Sequence, residues 1–299
     1  MKNFWRGQFP LLLATLFWGF AFITQTTAMD FVGPFTFQVA RQLLGFLVLL
    51  PVIAFRAKRD PATVPTDASR KKLYLYGALC GLFLFAACSL QQLSLWLGLA
   101  VGKCGFITAL YVLLVPILGI FFGKRISLKV ACAVVIAVIG LYFLCGASDF
   151  SFGLVEFLVL LCALCFAAHI LCIDHCAPQV DAVRLAALQF FFCALYSVPF
   201  ALLTENISLT ALLDAWLPIA YTGVFSSGIA YTLQIVGQKN CDPVLASLTM
   251  STESVFTALF GWLVLGQALS VGEIGGSLLM LTAIVLAQLP ADVLRGKKA

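Results

Sequence analysis

Apolar runs of about 20 residues recur along nearly the whole chain, and a helix needs about that length to cross a hydrocarbon core of roughly 30 Å. Ten such runs can be drawn, at residues 9–28, 35–55, 73–97, 103–122, 128–145, 154–174, 183–203, 215–237, 243–265 and 271–290. The connections are short, so the sequence predicts an all-α membrane protein of ten transmembrane helices with no sizeable soluble domain. A composition 62% hydrophobic and only 10% charged excludes the water-soluble globular class. The first run follows Lys2 and Arg6 but continues through QTTAMDF into another span, so it reads as a retained helix rather than a cleaved signal. Most of the eleven cysteines fall inside the runs, where thiols pack as small apolar groups, and no disulfide scaffold is predicted.

Lys and Arg of short loops stay on the cytoplasmic side. With the N-terminus inside, sixteen of the eighteen basic residues share that side: Lys2, Arg6, Arg56, Lys58, Arg59, Arg70, Lys71, Lys72, Lys124, Arg125, Lys129, Arg184, Lys239, Arg295, Lys297 and Lys298. Lys103 falls outside and Arg41 within a span. Losing or adding a helix would scramble this asymmetry, which predicts cytoplasmic termini; the membrane is expected to be a bacterial-type inner membrane. The stretch RAKRDPATVPTDASRKK is then a solvated inside loop, and the net charge of +5 needs no nucleic-acid partner.

The two halves resemble each other. WGFAFITQTTA at 18–28 lies over FAAHILCIDHCA at 166–177 at an offset of 148, which sets Arg41 over Gln189. Offsets of 142 and 143 set Gly81 over Gly223, Gln92 over Gln234, Gly123 over Gly266 and Ser127 over Ser270. Five spans per half is an odd number, so the second half enters the membrane from the opposite face. Two inverted repeats, at 8–145 and 153–290, are therefore predicted around a central cavity, the architecture that supports alternating access.

Several stretches also resemble the drug/metabolite transporter superfamily, EamA type. They are FWGFAF, GPFTFQVAR and SLQQLSLWLGLAVGKCGFITALYVLLVPILG in the first half, and GIAYTLQIVGQKNCDPVLASLTMSTESVFTALFGWLVLG in the second. The resemblance implies ten helices, cytoplasmic termini, a cavity between the halves and export of small metabolites. Such proteins often end the fourth and ninth helices with an LGE-like motif. Here FGKR and LGQ stand instead, so no role of that carboxylate passes to Lys124 or Gln267.

Ionisable groups are costly inside a bilayer, so each is a functional candidate. Asp242 and Pro243 begin the ninth helix as cap and first residue, which places Glu253 about 15 Å along it, near the midplane. The hydroxyls of TMSTES, Ser251 among them, suggest a hydrated surround. Glu253 is the leading group for proton exchange or for pairing with a substrate cation, against a structural carboxyl bonded to neighbouring helices. Arg41 has two readings, a side chain snorkelling to the interface or a gating and carboxylate-binding group. Gln91 and Gln92 fall in the outer half of the third helix and Tyr231 and Gln234 in the inner half of the eighth, as inversion requires. Amides in hydrocarbon need partners or water, and Thr108 and Tyr111 add polar groups nearby. Trp18, Phe22 and Gln25 share one face of the first helix, which reads either as packing or lipid contact or as an aromatic platform beside an amide, and the resemblance moves Trp18 toward the cavity. The set is read as substrate-binding.

The stretch LCALCFAAHILCIDHC carries Cys162, Cys165, His169, Cys172 and Cys176 on one helix face. Fourteen residues of helix extend about 21 Å, so this set cannot close one tetrahedral zinc site. The cysteines read as a packing seam, while His169 is a candidate for the cavity or a proton relay against a neutral histidine bonded between helices. No metal, cofactor or catalytic constellation is predicted. The leading reading is a secondary transporter working by alternating access, an exporter coupled to protons or simply facilitated and sufficient as a monomer in membrane lipid, for which the resemblance implies small organic metabolites such as amino acids or amphipathic and cationic compounds. The alternatives are a membrane enzyme or lipid-handling protein, or a metal-ion transporter using the Cys/His stretch.

Overall fold

A computed structural model describes residues 4–60, 65–124, 126–144, 153–266 and 268–288. Of the features singled out above, Lys2, Arg125, Gln267, Arg295, Lys297 and Lys298 lie outside the described residues, as do residues 145, 289 and 290 at the ends of two apolar runs.

The described chain is helical, without strands. The first half comprises α1 (Phe9–Ala28), α2 (Pro34–Arg59), α3 (Asp67–Trp96), α4 (Val101–Ala109), α5 (Tyr111–Phe121) and α6 (Leu128–Leu144). The second comprises α7 (Leu154–Cys176), α8 (Ala182–Thr204), the short α9 (Leu209–Asp214), α10 (Trp216–Tyr221), a π-helical stretch (Thr222–Tyr231), α11 (Thr232–Gln238), α12 (Pro243–Met250), α13 (Glu253–Leu265) and α14 (Val271–Gln288). Several of these run end to end as single rods. Among the described residues eight rods are long and apolar enough to cross a membrane, and α6 and α14 are shorter apolar helices. Each predicted run coincides with a helix over its described residues, and the helices of the fifth and tenth runs are the shorter ones there.

The helix ends follow local chemistry. Asp242 accepts from the backbone N–H of Val244 at 2.9 Å with Pro243 following, the predicted cap of α12. Asp181 caps α8 through the Arg184 N–H and also pairs with Arg56 at 3.0 Å. The start of α2 is held from outside its own sequence: the Glu205 carboxylate, at the end of α8, accepts from the N–H groups of Phe35 at 2.7 Å and Thr36 at 2.8 Å. A negative group there meets the positive end of the helix dipole. Lys103 pairs with Glu156 and Lys124 with Asp174, at opposite ends of the α4–α5 rod. Arg56 and Lys124 thus lie toward one end of the bundle and Lys103 toward the other, in line with the charge asymmetry.

Packing follows an exchange pattern. α2 lies on α8, α6 on α14, and α3 on both α7 and α8. Swapping halves turns α3 on α8 into the π-helical stretch on α2, and α7 beside α4 and α5 into α1 beside α13, and those contacts are present too. The correspondence reaches single residues. A methyl group added at Gly81 would meet Phe192 Cβ at 2.8 Å, and one at Gly223 would meet Leu44 Cβ at 2.8 Å. Gly81 and Gly223 are matched residues of the two halves, and Leu44 and Phe192 are 148 apart. Only glycine lets both backbones approach so closely. Where α6 crosses α14, a methyl at Gly276 would fall 2.5 Å from the Gly140 carbonyl oxygen.

Candidate functional site

The first ingredient is a pair of broken helices. The rod of α4 and α5 is interrupted at Leu110, whose N–H reaches back only three residues to the Ile107 carbonyl at 3.2 Å. The rod of α12 and α13 is interrupted at Ser251 and Thr252, 142 residues further along. Hydroxyls at the second break turn onto their own helix: Ser251 Oγ donates to the Leu248 carbonyl at 2.8 Å and Thr252 Oγ1 to that of Thr249 at 2.7 Å. Irregular backbone at membrane depth is tolerated where such bonds or a cavity satisfy it.

A buried cavity lies beside both breaks. Its wall takes Trp18, Phe22 and Gln25 from α1, Arg41 from α2, Gln91 from α3, Thr108 from α4 and Tyr111 from α5. From the second half come Tyr231, Gln234 and Glu253, so ten residues singled out in the sequence meet at one place. The free volume is about 40 Å³, room for roughly three waters at about 10–15 Å³ each. The polar side chains that line it are each less than a tenth exposed.

Two ionisable groups share this wall. Arg41 is 2% exposed, so it points inward and does not snorkel to the interface. Its Nη1 donates to Gln25 Oε1 at 2.9 Å and its Nη2 to Ser226 Oγ at 3.4 Å, and the guanidinium carbon lies 5.7 Å from the Phe37 ring centre. Arg41 Nε has no protein partner. Glu253 is also buried and shares the wall with buried Tyr111. Among the described residues neither Arg41 nor Glu253 forms an ion pair.

The remaining wall is aromatic and amide. The Trp18 and Tyr231 rings stand 4.8 Å apart, and Trp18 Nε1 donates to the Ser226 carbonyl at 3.1 Å. Gln91 donates to Thr108 Oγ1 at 3.2 Å. Gln234 donates to Gln238 Oε1 at 2.9 Å, which leaves its own Oε1 without a protein partner.

Three singled-out residues lie behind the wall. Gln92 donates to the Gln25 backbone carbonyl at 3.1 Å and so supports a wall residue. Ser251 is turned back onto α12, because a helical serine satisfies its hydroxyl most easily on a carbonyl of the preceding turn. His169 is fully buried, bonded through Nε2 to Gln189 Oε1 at 3.0 Å and edge-on to Tyr231 with ring centres 6.1 Å apart.

Sequence reasoning missed Phe166, Ile170, Ser226 and Met250, which complete the wall. The first two and Met250 are apolar residues in apolar helices and carry no signal. Ser226 had one, since FSSG interrupts the helix pattern, and the π-helical turn there offers both its hydroxyl and its carbonyl to the site. The Cys/His stretch also gains a member from elsewhere: Cys172 and Cys176 meet Cys80 of α3, while Cys162 and Cys165 stay apart from that cluster. All ten cysteines among the described residues are free.

Comparison with known proteins agrees with this architecture. An uncharacterized transporter of Archaeoglobus fulgidus is 30% identical over 283 residues, covering 93% of this chain and 84% of its own. A WAT1-related chloroplastic protein of Arabidopsis thaliana is 24% identical over 294 residues, covering 94% of this chain and 69% of its own. A solved crystal structure superposes with a TM-score of 0.76 at 20% identity, over 97% of this chain and 98% of that one, a likeness of fold. The EamA-like transporter family matches twice, over residues 5–146 and 153–289. The chain is a membrane transporter of the EamA-like family.

Proposed function

We propose that the protein is a secondary transporter that carries small organic metabolites bearing a cationic group, amino acids and amphipathic amines foremost, by alternating access between two inverted five-helix repeats. The observation that carries this reading is the cavity between matched breaks, with an unpaired arginine and an unpaired acid in one wall. An amine would take Glu253 and a carboxylate Arg41, each replacing part of the hydration the substrate loses. The Trp18 and Tyr231 rings supply faces for the cation or for an apolar side chain. A site of about 40 Å³ holds no metabolite, so binding requires the walls to part, and the breaks at Leu110 and Ser251–Thr252 are where α4–α5 and α12–α13 can bend.

Exchange of the conformations of the two repeats moves the opening from one membrane face to the other. Ten spans with cytoplasmic termini follow from the basic-residue asymmetry, with α6 and α14 as the fifth and tenth spans. Glu253 is the proton-coupling group in this reading, and export is the direction. His169 acts behind the wall, holding Tyr231 and Gln189 in place rather than relaying protons.

Flux into proteoliposomes is the test. Labelled amino acids, polyamines, nucleosides and cationic amphiphiles are offered with and without a pH gradient. Saturable flux of an amine-bearing compound, inhibited by its unlabelled form, is expected. Metal-dependent uptake, or chemical conversion without net flux, would reject the reading.

A further inference from the structure

Outside the cavity, three thiols converge where α3 packs on α7. The sulfurs of Cys80, Cys172 and Cys176 lie within 4.8 Å of one another, with Cys80 Sγ 3.5 Å and Cys176 Sγ 3.9 Å from Cys172 Sγ. Cys172 and Cys176 are one helical turn apart and share a face, and Cys80 is brought against them by the neighbouring helix. A metal–sulfur bond of about 2.3 Å sets sulfurs about 3.8 Å apart around a tetrahedral ion and about 4.0 Å apart around a trigonal one. The two edges at Cys172 are close to these spacings, and the third is no longer than 4.8 Å.

We propose that Cys80, Cys172 and Cys176 form a three-thiolate site for a soft cation of low coordination number, and that Cu(I) is the ion it fits best. Thiolates select soft ions. Zinc takes four ligands in closed sites, and among the described residues no other His, Cys, Asp or Glu joins this group. Three sulfurs satisfy Cu(I). Cys80 is fully buried and Cys176 is 1% exposed, but Cys172 is half-buried and lines a groove of about 1000 Å³ together with Lys124, Asp174 and His175. Cys172 is thus the least buried of the three thiols and the one an incoming ion meets first. Ligation releases thiol protons to water and transfers no electron.

The bound ion ties α3 to α7. These helices carry Gln91, Phe166 and Ile170 of the cavity wall, so loading bears on that wall. The site itself stands independently of the transport reading.

The purified full-length protein, reduced and kept anaerobic in detergent, is titrated with Cu(I) against a chromogenic Cu(I) chelator. One Cu(I) retained per chain is expected, with sulfur neighbours alone in copper-edge X-ray absorption and a raised apparent melting temperature. Cys80→Ser and Cys172→Ser, checked for folding by circular dichroism and gel filtration, lose retention at least about tenfold, whereas Cys165→Ser does not. In the wild-type protein Cu(I) also protects Cys172 from alkylation while Cys165 still reacts, a readout that needs no variant. Release of Cu(I) to the chelator, nitrogen or oxygen neighbours, unprotected Cys172, or a folded Cys172→Ser that still holds one Cu(I) would each overturn the proposal.

Discussion

Tyr111 and Glu253 occupy the same position in the two halves, each the first residue after the break in its rod, and both line the one cavity. One repeat supplies a neutral donor where the other supplies an acid. The symmetry of the backbone is thus broken chemically at its centre, which is what a single site for an asymmetric substrate requires.

Glu253→Gln keeps the size and bonding of the side chain but cannot lose a proton. In proteoliposomes it is expected to abolish the response of flux to a pH gradient while exchange between equal compartments persists. Wild-type pH dependence in this variant would remove Glu253 from coupling.

Arg41→Gln removes the buried cation while Gln25 and Ser226 can still be bridged. Affinity for carboxylate-bearing substrates is expected to fall about 10- to 100-fold, the equivalent of one charge-assisted bond of about 1.5–3 kcal/mol, with little change for amines lacking a carboxylate. A competition assay across such a substrate pair measures the difference. Equal loss for both would mark Arg41 as a structural group.

Gly81→Val and Gly223→Val place side chains into matched contacts with Phe192 and Leu44. Overpacking of this kind costs about 1–3 kcal/mol, and the two variants should lower the melting temperature in detergent by similar amounts. Gly275→Ala, where an added methyl meets nothing within 4 Å, should leave it nearly unchanged. A tolerated Gly223→Val beside a damaging Gly81→Val would argue against equivalent packing in the halves.

Glu205→Ala withdraws the acceptor from the N–H groups of Phe35 and Thr36. Loss of a helix cap costs about 0.5–2 kcal/mol. Thermal unfolding should show that decrease, and amide exchange should quicken at the start of α2 while the rest of the helix stays protected. Unaltered exchange at Phe35 and Thr36 would show that the cap contributes nothing.

Much of the site was legible because polar side chains are so rare in the apolar runs. Gln25, Arg41, Gln91, Gln234 and Glu253 stand out there, since each has an energetic cost in hydrocarbon that something must offset. Phe166, Ile170 and Met250 were invisible, because an apolar residue facing a cavity looks like one facing lipid. The cap on α2 was invisible for another reason: its acceptor, Glu205, lies 170 residues from Phe35. The Cys80 partnership with Cys172 and Cys176 likewise joins helices that no local pattern connects.

The sequence by itself determined that the chain is a helical membrane protein, roughly where each helix runs, and which few polar groups need an explanation. Those are one-dimensional properties: hydrophobic length, charge in loops and proline or acid at helix starts act within a turn or two. Only the tertiary structure decided that Arg41 turns inward, that Ser251 and His169 stand behind the cavity wall rather than in it, and that three thiols meet. Each of these depends on which neighbouring helix offers a partner, and a side chain in hydrocarbon turns to whichever partner packing brings within reach.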